Sequence, residues 1–113
     1  MTSGNAGHLQ VRDGRHWLVE AKVVRAGDGI GASREALAQL LFYRRFLYEP
    51  NERVNKLALF NDSVGEAVVK FFEELDIASV WSAGGSWVGS PLAQAAGLCD
   101  GVPRANVSGV TPA

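Results

Sequence analysis

The chain has 113 residues, enough for one domain built on one core. Its 47% apolar content excludes a wholly disordered chain, and its net charge of −1 excludes a global basic field, so any phosphate site must be a local patch. The single cysteine, Cys99, excludes an internal disulfide and a cysteine-built zinc cage, and no apolar run has the length of a membrane span.

Met1 to Gly7 is small and polar and reads as a frayed start without the features of a signal peptide, so a cytoplasmic location is expected. His8 to Arg12 reads as a short strand, Asp13-Gly14 as a hairpin turn, and residues 16 to 24 as the antiparallel return strand. Side chains alternate along a strand. Trp17, Val19, Ala21 and Val23 therefore share one face, and Leu18, Glu20, Lys22 and Val24 the other. The second face carries an acid and a base within an otherwise apolar strand. Either it meets water, or Glu20 ligates a divalent cation with Lys22 beside a scissile phosphate.

Ala26 to Ala32 is a glycine-rich stretch that fits neither dinucleotide-binding nor P-loop spacing. It is expected as a flexible connector, or as a mobile loop beside Glu20 and Lys22. Ser33 is the expected N-cap of a helix over residues 34 to 48, ended by Pro50. Leu37, Leu40, Leu41, Phe42 and Leu47 make that helix apolar around much of its circumference, which predicts deep burial. Gln39 and Tyr43, four apart, share a face.

Residues 54 to 61 read as a strand. Ser63-Val64-Gly65-Glu66 reads as a capping box for a helix over 64 to 75, with Val68, Phe71, Phe72 and Leu75 inward. Ile77 to Trp81 is the last core strand, Gly84-Gly85 a turn, and Ser86 to Val88 an edge strand. Pro91 to Leu98 reads as a small helix, and the tail from Asp100 as disordered. The fold class is α/β: a small mixed sheet with an N-terminal hairpin and two β-α-β crossovers. The folded unit is taken as 7–90, with 91–113 a short helix and tail.

Two motifs then stand in order. Glu20-Ala21-Lys22 lies on a strand after a hairpin, and Gln39-Leu40-Leu41-Phe42-Tyr43 lies on the next helix. This pattern resembles the PD-(D/E)xK nuclease superfamily, in particular its RecB-like branch with a Q-x-x-x-Y motif. The resemblance covers roughly residues 7 to 88. It implies a restriction-endonuclease-like core and Mg²⁺- or Mn²⁺-dependent hydrolysis of DNA phosphodiesters. Glu20 would ligate the metal, with the Ala21 carbonyl as a second oxygen. Lys22 would serve the water or the developing phosphate charge, and Gln39 and Tyr43 would touch DNA or brace the catalytic strand. Arg34, Arg44 and Arg45 would meet DNA phosphates. The alternative is a non-catalytic module of the same fold that binds DNA or protein.

The chain departs from the family at its start. The helix that usually precedes the hairpin is missing, so the domain is expected to be truncated, degenerate, or completed by another chain or domain. The family's metal-binding Asp precedes the E-x-K strand, and here His8-Leu9 occupies that place. A two-residue hairpin loop would set Gly7 opposite Glu20, whereas a three-residue loop would set His8 there. The apolar pattern favours the three-residue loop. His8 is thus expected to stand in for the Asp, as a better ligand for Mn²⁺ than for Mg²⁺.

Overall fold

A computed structural model describes residues 8–12 and 15–99, with side chains from His16 to Cys99. Strands β1 (His8–Arg12) and β2 (Arg15–Lys22) form the expected hairpin, but in the other register. Arg12 pairs with Arg15 and His8 with Val19, so two residues join the strands. Turn chemistry thus overrides the apolar alternation that favoured the longer loop, because an Asp-Gly pair suits a two-residue connection matched to the strand twist. His8 is not opposite Glu20. A slip of one residue exchanges the two faces of a strand, so the argument that made His8 a ligand of the Glu20 site fails.

Helix α1 (Gly29–Leu47) follows, then strand β3 (Asn55–Phe60), helix α2 (Glu66–Glu74), strands β4 (Ile77–Ala83) and β5 (Ser86–Gly89), and helix α3 (Pro91–Ala95). The sheet has five strands in sequence order. β2, β3 and β4 are parallel neighbours, and β1 and β5 flank them antiparallel. The protein is therefore a small mixed α/β fold.

Most of the glycine-rich stretch, from Gly29 on, is helix, and only its first residues form a connection. Ala26 and Gly27 take positive φ in a tight turn, and α1 begins at Gly29, five residues before Arg34. Asp28, not Ser33, is the N-cap: its carboxylate accepts from the Gly31 amide at 2.9 Å. Ser33 is buried inside the helix and donates back to the Ile30 carbonyl at 2.9 Å. Gly29 is needed for close approach, since a Cβ there would lie 2.9 Å from the Val64 Cα.

On one face of the sheet, Leu18, Ala58, Phe60 and Ile77 pack against Ala32, Ala36 and Leu40 of α1 and Val69 and Phe72 of α2. α1 lies on the sheet along one stripe only. Leu41, Phe42, Phe46 and Leu47 are 46–64% exposed, so the expected burial around the helix is not found. In α2, Val69 and Phe72 are buried, whereas Phe71 and Leu75 are exposed. The capping box is also absent. Gly65 caps α2 without a side-chain hydrogen bond, and the Ser63 hydroxyl accepts instead from the Gly65 amide at 3.1 Å.

The other face is covered by α3. Ala93 and Ala96 pack on Trp17, Val19, Leu57, Ala78 and Val80. Ser90 caps this helix and also ties it to β4, accepting from the Ser79 amide at 3.0 Å. A boundary at residue 90 would therefore cut through the core, and α3 belongs to the folded unit. The tail from Asp100 lies outside the described residues. Among the described residues no helix is long and apolar enough to cross a membrane.

Candidate functional site

The polar group centres on β2. Glu20 pairs with Ala58 in the parallel ladder and Lys22 with Phe60, so Glu20 sits in the middle of the sheet beneath α1. Its side chain is 0% exposed. A carboxylate taken so far from water needs compensating partners. Lys22, two residues on and hence on the same face, supplies one: its Nζ lies 3.3 Å from Glu20 Oε2. Lys22 itself is 20% exposed, so it bridges the buried acid and the surface.

Helix α1 supplies the third member. The Gln39 amide stands over both residues. Assigned from its hydrogen-bonding surroundings, its nitrogen donates to both Glu20 oxygens, at 3.1 Å to Oε1, and its oxygen accepts from Lys22 Nζ at 3.0 Å. One amide thus reads a carboxylate and an ammonium together. A fourth group lies one helical turn before Gln39. Glu35 Oε1 is 4.0 Å from Lys22 Nζ, on a side chain that is 70% exposed. Sequence reasoning passed over Glu35. The available signal was its i, i+4 spacing to Gln39.

The remaining expected site residues divide. Tyr43, one turn beyond Gln39, packs its ring against the core on the α1 side and meets Phe42 edge-on, with centroids 5.9 Å apart. Arg44 is committed to the fold: its guanidinium donates to the carbonyls of Glu49 (3.2 Å), Pro50 (3.3 Å) and Glu52 (2.8 Å), closing the connection to β3. The neighbouring Tyr48 hydroxyl has its pKa raised by burial and by Glu52, against an opposing effect of Arg44. Arg34 and Arg45 are exposed on α1, and the Arg45 guanidinium lies 5.2 Å from the Phe46 ring centroid. At the ends of β2 and β3 a cleft of about 200 Å³ is lined by Lys22, Asn61 and Trp87 and by Ala21 and Leu59, which belong to the sheet face opposite Glu20. The carboxyl ends of parallel strands are the usual ligand side of such sheets.

No family model, curated protein or solved structure matches the chain. The donor set itself tests whether a divalent cation suits the site. Among the described residues no three His, Cys, Asp or Glu side chains come together. The carboxylates at this group are Glu20, whose oxygens are held by Lys22 and Gln39, and, at the rim, Glu35. Mg²⁺ is commonly held by one or two carboxylates and keeps several waters, whereas soft or nitrogen-seeking metals require donors of another kind. Hard oxygen donors are the kind that Mg²⁺ and Mn²⁺ take.

Proposed function

We propose that this chain carries a PD-(D/E)xK nuclease-like domain that hydrolyses DNA phosphodiesters with Mg²⁺ or Mn²⁺, in a cytoplasmic setting. The restriction-endonuclease-like core belongs to the same proposal. One observation supports it above the others: the Gln39 amide joins Glu20 to Lys22, so the two motifs converge on one polar group.

In this reading Glu20 and the Ala21 carbonyl hold the cation. The bound ion would polarise the phosphate and lower the pKa of an attacking water. Lys22, 20% exposed, would serve that water or a phosphate oxygen, where charge develops in the transition state. Gln39 fixes the carboxylate and the ammonium relative to each other, a supporting role that tunes a site without contact with the reacting atoms. Arg34 and Arg45 are the exposed cations of α1 available to DNA. Arg44 is held by three hydrogen bonds to backbone carbonyls, which leaves it less free than these two to reach DNA.

A second reading has its own observation. The exposed apolar side of α1, with Phe42 and Phe46 rings 4.7 Å apart, favours a non-catalytic module that docks a protein chain or domain. The test is cleavage of linear DNA by the full chain. Hydrolysis is expected with Mg²⁺ or Mn²⁺, abolished by EDTA and by Glu20→Gln, and lost in Lys22→Ala while metal binding persists. Cleavage that survives EDTA refutes the mechanism. DNA binding without cleavage in either metal favours the module.

A further inference from the structure

The apolar side of α1 has two parts. Phe42 and Phe46, 58% and 64% exposed, are four residues apart and so stand on one ridge of the helix, with their rings 4.7 Å apart. Beside this ridge lies a groove of about 470 Å³, lined by Leu41, Arg44, Arg45, Tyr48 and Pro50. The sheet uses neither part, since α1 packs on it through Ala32, Ala36 and Leu40.

Ridge and groove suit each other. The groove combines apolar side chains, Leu41 and Pro50, with the guanidinium groups of Arg44 and Arg45. Cations favour the faces of aromatic rings, and these two already lie 5.9 and 5.2 Å from the ring centroids of Tyr48 and Phe46. A cavity of about 150 Å³ holds a benzene molecule, so the groove has room for the two rings of a ridge. A surface that carries a knob and a matching hole side by side is self-complementary, because a two-fold axis sets the ridge of each copy in the groove of the other. Charge and area also fit a second copy. The net charge of −1 gives two copies little mutual repulsion. Leu41, Phe42, Phe46 and Leu47, 46–64% exposed, offer on the order of 400–500 Å² of apolar surface. The groove walls bring this toward the roughly 800 Å² that each partner gives to a stable interface.

We infer that the chain forms a two-fold dimer through α1, with Phe42 and Phe46 of each copy seated in the groove of Leu41, Arg45 and Pro50 of the other. The partner is a second copy of this chain. The inference rests on the docking reading of this helix face and is independent of metal at Glu20, because Gln39 meets Glu20 and Lys22 on the side of α1 that faces the sheet. The area lies at the lower end for stable interfaces, so the dissociation constant is on the order of 10 µM.

The test is sedimentation velocity of the full chain from about 1 to 200 µM, a range that brackets that constant, with thermal melts to check folding. The wild type is expected to pass from monomer to dimer across it. Phe46→Glu on the ridge and Leu41→Lys in the groove should each weaken association by about tenfold or more. Both positions are exposed, so melts at the lowest concentration should stay close to wild type. Phe46→Trp keeps an aromatic ridge and should keep the dimer. An equimolar mixture of the Phe46→Glu and Leu41→Lys chains should recover part of the association. Its heterodimer holds one intact ridge in one intact groove and sets the introduced acid against the introduced base at the other contact. No recovery in the mixture, or wild-type association in Phe46→Glu, overturns the inference. So does a wild-type chain that stays monomeric at every concentration, whatever else covers the face; DNA cleavage by that monomer would leave the nuclease reading standing. A dimer that does not cleave DNA supports the inference and counts against that reading alone.

Discussion

The two faces of β2 are buried to a similar degree and are built in opposite ways. Trp17 and Val19, 6% and 8% exposed, face Ala93 and Ala96 of α3 in a layer lined by apolar side chains. Leu18 and Glu20, both 0% exposed, face α1, yet this layer holds a carboxylate, an ammonium and an amide. Burial therefore does not separate the apolar face of this strand from the polar one. The difference lies in what the covering helix brings. α3 contributes small alanines to a surface that needs only packing. α1 contributes Gln39, whose amide can satisfy both members of an ion pair. A buried charge persists only where such partners converge, and maintaining them costs stability that an apolar layer would not.

The comparison breaks most visibly on the apolar side. Trp17→Ala should destabilise the fold by about 3–5 kcal/mol through the cavity it leaves. Chemical denaturation measures it. Where the variant remains folded, its Mg²⁺ affinity should equal that of wild type, because the lost contacts lie on the opposite face.

Gln39→Met sharpens the polar side. It keeps the volume but removes the donor and the acceptor that hold Glu20 and Lys22. The expected cost is about 1–3 kcal/mol, the range for leaving a buried polar group short of a partner. Unlike Trp17→Ala, it should impair cleavage beyond its effect on the folded fraction. Equal kcat in the fraction that remains folded would reduce Gln39 to a packing residue.

The smallest effects separate the two arginines at the end of α1. Arg44→Ala should cost about 1 kcal/mol by releasing the carbonyls of the loop that follows. Arg45→Ala should stay within about 0.5 kcal/mol of wild type, as exposed substitutions do. For DNA the order reverses: Arg45→Ala should lower the slope of log affinity against log salt by about one, and Arg44→Ala should leave it nearly unchanged. Equal slopes in Arg45→Ala and wild type would place the DNA path elsewhere.

The sequence alone determined the order and kind of every element from His8 to Gly97, because turn residues and apolar periodicity are local signals. Strand alternation also put Glu20 and Lys22 on one side; that Gln39 joins them was only implied by the family resemblance, and the packed chain supplies the contact. Three matters were decided only by the tertiary structure. The hairpin register had two defensible answers in sequence, and the turn's backbone preference outweighed the apolar pattern. The extent of burial on α1 and α2 was overread, since an apolar side chain is buried only where a neighbour exists to cover it; Phe42, Phe46 and Phe71 have none over their outer sides among the described residues. The contacts of Arg44 and Glu35 were also invisible, for one physical reason. A long charged side chain acts where its tip lands, and the Arg44 guanidinium lands on the carbonyls of 49–52, while the Glu35 carboxylate lands beside Lys22. Local periodicity fixes the helix face from which such a side chain departs, and only the packed chain fixes what it meets.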